Sequence, residues 1–209
     1  DIRNSPLDDA ATFATIRAGL TEDVFQLDSA PMRSLCQTIE VNTIEHLVVL
    51  FALHQIWAKE FFHSGSSEII DMYYDRQIET EFIPSADPIP DYLVEETYGL
   101  LIYEEQIMQV LQHFAGGTLG RADHMRRALV EKETQAGHAE RALFIRRAQA
   151  QRGISEESAE EIWSVLQKNA ARCANKSHSS ACALLAYRMT YLKANFPTEF
   201  QSAVYSVNG

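Results

Sequence analysis

Most apolar residues of the chain recur at helical spacing. Near the start, Asp8 or Asp9 can cap a short helix that ends at Gly19. Thr43 precedes the most apolar segment, 44–62, whose apolar residues nearly encircle a helix. Because a helix that is apolar all round is normally buried, this segment is predicted as a core helix.

The second half of the chain shows further helical patterns. The apolar residues of 104–114 recur at the spacing of an amphipathic helix. Thr118 and Ser155 can each cap another helix. A helix is also predicted from about 180 to 194, after the polar segment 175–179. Helices therefore dominate the prediction.

One short segment favours extended structure, and one is rich in proline. The stretch 98–103 (YGLLIY) is apolar and β-prone, so it is predicted as a buried strand in a small two-strand β element. The stretch 84–96 holds three of the six prolines and is predicted as a connector. The predicted fold is mainly α, a multi-helical domain with an N-terminal helical part at 1–83 and a second helical part at 97–209.

Composition narrows the class of protein. Of the 209 residues 46% are hydrophobic, which is enough to bury a core and argues against disorder. The three cysteines form no CxxC pair, so reduced thiols, a cytoplasmic location and no metal site are expected. The longest apolar run, Leu47–Leu53, is far shorter than the ~20 residues of a membrane span, so no membrane partner is predicted.

The charge is divided unevenly along the chain. The net charge is −11, but residues 1–105 hold 5 basic and 20 acidic residues, whereas residues 106–209 hold 13 basic and 9 acidic ones. A phosphate-binding face needs local positive charge and not a basic total. The second half can therefore hold an anion site, although attraction between the two halves explains the same asymmetry.

Arg126 and Arg127 are the first candidates for such a site. They lie in the middle of the helix predicted after Thr118, and adjacent helix residues point about 100° apart. Guanidinium groups bind oxyanions bidentately, so the pair could reach phosphate oxygens from two directions. A solvated basic helix face is the alternative interpretation.

The segment Asn175-Lys176-Ser177-His178 is the second candidate. It precedes a predicted helix, whose N-terminal amides and dipole favour an anion, and its side chains add a charge and further donors. An ordinary polar helix cap explains the segment equally well.

The motifs along the chain, taken in order, resemble those of one known family. The matching segments are Pro6-Leu7-Asp8-Asp9, Val24-Phe25-Gln26-Leu27-Asp28-Ser29, Met32-Arg33, Thr97-Tyr98-Gly99, Tyr103-Glu104-Glu105-Gln106-Ile107-Met108-Gln109, Ala115-Gly116, Thr118-Leu119-Gly120, Ala122-Asp123, Arg126-Arg127-Ala128, Asn175-Lys176-Ser177-His178-Ser179, Tyr187, Leu192-Lys193-Ala194, Pro197 and Glu199-Phe200. In this order they resemble the fingers domain of the bacterial DNA polymerase III alpha subunit, a C-family replicative DNA polymerase. The resemblance covers almost the whole chain.

The resemblance implies a function and a set of site residues. In that family the fingers domain is mostly helical and closes on the incoming deoxynucleoside triphosphate (dNTP). The residues implied to hold the dNTP or its phosphates are Arg126, Arg127, Asn175, Lys176, Ser177 and His178. The further candidates for contact with DNA are Lys132, Lys168 and Arg172. The implied partners are dNTP, template–primer DNA and other polymerase domains or replication subunits.

The family's catalytic motifs are not in this sequence. By resemblance, carboxylates on a palm domain hold the two metal ions of phosphoryl transfer. No catalytic residue, metal ligand or cofactor is therefore predicted here, and Mg²⁺ is expected only together with a palm domain. The chain alone is predicted to be catalytically inactive.

Several departures from the family pattern lie at its ligand face. Val130-Glu131-Lys132-Glu133 stands where the family has Gly-Lys-Lys-Lys, and Ala170-Ala171-Arg172-Cys173-Ala174 replaces a segment with a tyrosine. The first change makes the charge beside the arginine pair more negative, which weakens binding of a polyanion. An alternative function follows, a stand-alone degenerate module that acts in protein–protein interaction or regulation.

Overall fold

A computed structural model describes residues 2–64, 68–79, 88–131 and 134–208 of the chain. In these ranges the protein is mainly helical, as predicted. The α-helices are α1 (Ala10–Arg17), α2 (Ala30–Thr38), α3 (Ile44–Ser64), α4 (Glu68–Ile78), α5 (Glu104–Ala115), α6 (Leu119–Val130), α7 (Gln135–Arg152), α8 (Glu156–Ala170), α9 (Lys176–Asn195) and α10 (Pro197–Asn208). Short 3-10 helices cover Ile2–Asn4, Asp91–Leu93 and Glu95–Thr97.

The chain divides into two compact units. The first unit contains Asp1–Ala58, Ser67–Tyr74 and Lys176–Gly209, and the second contains Lys59–Ser66 and Asp75–Asn175. The proline-rich connector predicted at 84–96 lies within the second unit, with 84–87 outside the described residues.

The first unit is built around the contacts of α9 with α1 and α10. The predicted cap of α1 is confirmed, because the Asp9 carboxylate accepts a hydrogen bond from the Thr12 amide at 2.8 Å. The backbone amide of Asp9 in turn donates to the buried Tyr187 hydroxyl of α9 at 2.9 Å. Gly19, at φ +68°, ends α1 in the left-handed conformation that favours glycine.

Helices α5 to α8 pack around the core of the second unit. The amphipathic face predicted for α5 is confirmed, since Ile107, Val110 and Leu111 are fully buried in this core. The Phe144 ring of α7 packs on the Trp163 ring of α8, with centroids 5.4 Å apart. Thr118 and Ser155 cap α6 and α8, as the sequence predicts.

Helix α7 was not predicted from the sequence. This helix presents few apolar residues, and its buried positions are limited to Gly137, Phe144, Ile145 and Ala148. Its end signals were nevertheless present. The Thr134 hydroxyl caps the helix, and Gly153 ends it in the left-handed conformation.

The predicted strand at 98–103 is wrong. Tyr98 and Gly99 have φ angles of +52° and +79°, which interrupt an extended backbone. The Gln106 side chain then accepts hydrogen bonds from the amides of Ile102 and Tyr103, each at 2.9 Å, where a second strand would otherwise bind them. Within the described ranges only an isolated parallel bridge, Tyr103 to Ala174, remains of the β element.

Helix α9 begins at Lys176, four residues before the start predicted from the polar segment. The segment 176–179 is its first turn and includes Ser179, which is buried and accepts a hydrogen bond from the Gln55 Nε2 atom at 3.1 Å. This tertiary contact offsets the weak helix propensity of serine.

No helix in the described part of the chain is long and apolar enough to span a membrane.

Gly137 provides a test of the packing of α7 on α6. A Cβ atom there would overlap the Glu131 carbonyl oxygen, so the backbone would have to shift. We expect Gly137→Ala to destabilise the protein by about 1–3 kcal/mol in urea denaturation. The control Gly120→Ala, in an open helical position, should be neutral or stabilising by up to about 1 kcal/mol. Equal effects of the two substitutions would contradict this packing.

Gln106 provides a second test. Gln106→Leu keeps the volume but leaves the buried amides of Ile102 and Tyr103 without an acceptor, so we expect a loss of about 2–4 kcal/mol in the free energy of unfolding. The control is Gln109→Leu, an exposed position on the same helix, which should change stability by less than about 0.5 kcal/mol. Urea denaturation followed by circular dichroism measures both variants, and a Gln106→Leu variant as stable as the control would refute the role of the amide.

Candidate anion-binding site

Arg126 and Arg127 share one carboxylate on α6. The Arg126 Nε atom lies 3.0 Å from Asp123 Oδ1, and the Arg127 Nη2 atom lies 2.8 Å from Asp123 Oδ2. The three residues have the i, i+3 and i, i+4 spacing that brings side chains together on a helix. Asp123 therefore holds both guanidinium groups.

The two arginines differ in exposure. Arg126 keeps only 16% of its side chain exposed, and its Nη1 atom lies 3.5 Å from the Glu104 Oε1 atom at the start of α5. Arg127 keeps 70% exposed and pairs with Asp123. Arg127 is thus the more accessible donor to a ligand, whereas Arg126 lies between two carboxylates.

Asp123 stays ionised at neutral pH. Burial raises the pKa of this carboxyl, but the hydrogen bonds and charges of Arg126 and Arg127 outweigh burial and lower the pKa below its usual value. The carboxylates of Asp123 and Glu104 together offset the two guanidinium charges. An anion that approaches Arg127 competes with Asp123 for the guanidinium.

The segment 175–178 lies at the N-terminus of α9. Lys176, Ser177 and His178 lie in its first turn. The His178 Nε2 atom is 3.7 Å from the Cys182 Sγ atom, and the Lys176 carbonyl accepts from Ser180 Oγ at 2.8 Å. Asn175, directly before the helix, is the last residue of the second unit.

Two of the three candidates for DNA contact lie near the end of α8. Lys168 is exposed in the last turn of α8, and Lys132 lies outside the described residues. Arg172 follows α8, and its Nη2 atom donates to Asn169 Oδ1 at 2.5 Å. Its carbonyl and that of Cys173 accept hydrogen bonds from Lys59 Nζ at 3.4 and 3.0 Å.

The carboxylates of Asp123 and Glu104 were not predicted as site residues. The spacing of Asp123 before Arg126 and Arg127 is a local signal that could have revealed the first ion pair. The approach of Glu104 to Arg126 joins different helices and had no such signal. Among the described residues, no group of three or more His, Cys, Asp or Glu side chains is placed to hold a metal ion.

A family model and the curated relatives point to the same protein family. A family model for the bacterial DNA polymerase III alpha subunit finger domain matches residues 1–152. The DNA polymerase III subunit alpha of Pasteurella multocida is 36% identical over 211 residues, which cover 98% of this chain and 17% of the relative. Those of Thermus aquaticus and Escherichia coli K12 are 35% and 36% identical, over 99% and 98% of this chain and 17% of each relative. The chain thus spans about a sixth of the length of these relatives.

The cysteines provide a test of burial. Cys36, Cys173 and Cys182 are all buried, and burial raises the pKa of the Cys36 and Cys173 thiols to about 12 and that of Cys182 above its usual value. Because the thiolate is the nucleophile, we expect native thiols to react with a thiol reagent at pH 8 at least roughly a hundredfold more slowly than in urea. Absorbance of the released chromophore should report three thiols only after unfolding. Rapid reaction of the native protein would contradict the buried positions.

Proposed function

The chain belongs to the family of finger domains of the bacterial DNA polymerase III alpha subunit, and from this premise we propose that it binds the triphosphate of an incoming dNTP and template–primer DNA. It does so as one region of a DNA-directed DNA polymerase. The observation that carries this proposal is the exposed guanidinium of Arg127, which Asp123 holds in place beside Arg126 on α6.

In this proposal the two arginines have different roles. Arg127 donates to phosphate oxygens, because most of its side chain is open to solvent. Arg126 keeps its contacts with Asp123 and Glu104 and acts as a positioning residue. A charged hydrogen bond is worth about 1.5–3 kcal/mol, so one guanidinium contributes measurably to affinity.

The first turn of α9, in the first unit, is a separate candidate for phosphate contact. Lys176 brings a charge, Ser177 and His178 bring polar side chains, and Asn175 precedes the helix. A helix N-terminus favours an anion, so these residues are proposed to bind phosphates of the dNTP or of the template–primer. Lys132, Lys168 and Arg172 are proposed contacts with DNA.

The chemistry of nucleotidyl transfer is proposed to lie elsewhere in the polymerase. Phosphoryl transfer needs positioning and charge neutralisation, with metal ions on the reacting oxygens. We assign positioning of the triphosphate to this chain and the Mg²⁺ ions to a palm domain. The other domains or replication subunits of the polymerase are its proposed partners, and the cytoplasm is its proposed location.

A second candidate function follows from the charge balance at Arg126. Two carboxylates offset the two arginines, so affinity for a polyanion is reduced. In this alternative the chain is a polymerase-derived module that binds protein partners and has no nucleotide affinity.

Titration of the 209-residue chain with dATP and with primed DNA at low salt separates the two functions. We expect binding that weakens as salt rises, and an Arg127→Ala variant about ten- to a hundredfold weaker. Asp123→Asn should bind more tightly, because it removes the competing anion. Isothermal calorimetry and fluorescence anisotropy measure these affinities.

Arg141→Ala is the matched control. Arg141 also pairs with a carboxylate, Glu160 at 2.7 Å, and is 46% exposed on α7, so the substitution removes the same charge. Its affinity for dATP should stay within about twofold of the parent. Absence of dATP binding at low salt, or equal effects of Arg127→Ala and Arg141→Ala, would refute the dNTP site and favour the alternative.

A further inference from the structure

We propose that the second unit carries a separate surface for single-stranded DNA, in which Tyr92 stacks on a base and arginines contact the adjoining phosphates. The Tyr92 surface consists of Tyr92, His113, Arg121, Arg147 and Arg152. It shares no residue with the dNTP site, and it is argued from its own contacts.

Tyr92 presents a fixed aromatic ring. It lies in the short 3-10 helix Asp91–Leu93 and remains 64% exposed. Its hydroxyl is 2.6 Å from the His113 Nδ1 atom, and the two ring centroids are 5.9 Å apart in an edge arrangement. The His113 ring in turn packs edge-on to Phe114, with centroids 4.7 Å apart. An exposed ring held in this way needs little ordering before it stacks on a ligand.

Arg152 places a cation beside His113, the residue that contacts Tyr92. Its Nε atom donates to the His113 carbonyl oxygen at 2.7 Å, and its Nη2 atom is 3.3 Å from His113 Nδ1. Because both Arg152 and the Tyr92 hydroxyl can donate to this nitrogen, Nδ1 is assigned as an acceptor. Arg152 binds a carbonyl here and not a carboxylate, so its positive charge is not cancelled by that contact.

The surface continues from Arg152 to Arg147 on the same helix. The side chain of Gln151 covers Gly116, within 3 Å of where a Cβ atom of that glycine would lie. The Nη1 atom of Arg147 is 3.8 Å from the point where a Cβ atom of Gly117 would lie. Arg147 and Arg152 are five residues apart, which separates them by about 7.5 Å along the helix axis and about 140° around it. Their side chains nevertheless both reach the end of α5, since Arg152 binds the His113 carbonyl oxygen and Arg147 lies beside Gly117. The two cations can therefore meet successive parts of one strand.

Arg121 completes the surface at the start of α6. The Arg121 Cβ atom is 3.7 Å from the point where a Cβ atom of Gly117 would lie. The Arg121 guanidinium pairs with Glu140 and lies 3.0 Å from the His124 Nδ1 atom. Gly117, at φ +92°, has no side chain between the arginines. A phosphate backbone can therefore approach the turn closely.

The charges and rings together favour single-stranded DNA as the partner. The Tyr92 surface holds three arginines, whereas two carboxylates adjoin it, Glu140 paired with Arg121 and Asp91 next to Tyr92 in the chain, so positive charges exceed negative ones by one. An exposed ring stacks on any unpaired base, whereas bases in a duplex are already stacked, and an acidic peptide offers no flat face of that kind. Aromatic rings beside cations that follow the backbone are typical of proteins that bind single strands without sequence preference.

Fluorescence anisotropy with labelled oligothymidylate of about 12 nucleotides, at low salt, tests the surface in the 209-residue chain. We expect Tyr92→Ala to weaken binding about five- to a hundredfold and Tyr92→Phe to retain most of the affinity, because the ring stays. Arg147→Ala should weaken binding and make the slope of log affinity against log salt shallower by about 0.7. Tyr205→Ala and Arg141→Ala are the matched controls, since Tyr205 on α10 is 72% exposed.

An abasic oligonucleotide of the same length separates stacking from loss of folding. Tyr92→Ala should not change its affinity, because no base remains to stack on the ring. The proposal is overturned if Tyr92→Ala binds oligothymidylate as tightly as the Tyr205→Ala control, or if polyglutamate competes for the surface as well as DNA does at equal charge. Titration with dATP keeps the two proposals distinct, since Tyr92→Ala should leave the dNTP site unchanged even where oligothymidylate binding is lost.

Discussion

The start of α5 is held by one buried amide, the side chain of Gln106. Its Oε1 atom accepts from the backbone amides of Ile102 and Tyr103, and its Nε2 atom donates to the Thr97 hydroxyl at 2.7 Å. These bonds join the irregular segment before α5 to the first turn of that helix. The Glu104 amide then donates to the Ala174 carbonyl at 2.9 Å, so the start of α5 is also tied to the segment after α8. Because an unsatisfied buried amide is costly, the direction of α5 is tightly determined.

Both proposed surfaces take their geometry from α5. Its first residue, Glu104, approaches Arg126, and near its other end His113 supports Tyr92 and Arg152. The electrostatics at the two ends differ, however. At the first end carboxylates offset the arginines, whereas at the second Arg152 binds a carbonyl oxygen. The same helix therefore presents a nearly neutral site and a cationic surface.

Local signals predicted much of the fold. Asp9, Thr43, Thr118 and Ser155 each accept a hydrogen bond from the first turn of their helix, as caps do. The strand at 98–103 was mispredicted because apolar, β-prone residues do not reveal that the Gln106 side chain, three to four residues further along the chain, will satisfy the amides of Ile102 and Tyr103. Helix α7 was missed because packing of a few buried residues, and not a strong apolar pattern, stabilises it. The arginine pair was identified from sequence, but its pairing with Glu104 depends on tertiary structure.

The shared carboxylate gives the proposed dNTP site a preference among anions. Asp123 and a phosphate compete for the exposed guanidinium of Arg127, and Asp123 has the advantage of being attached to the same helix. A phosphate with a low charge gains little by displacing it. A triphosphate carries several charges and can meet further donors while one of its oxygens replaces the carboxylate. The intramolecular pair would then suppress binding of simple phosphate while allowing the ligand that a polymerase needs, because only a multivalent anion recovers what the broken ion pair costs.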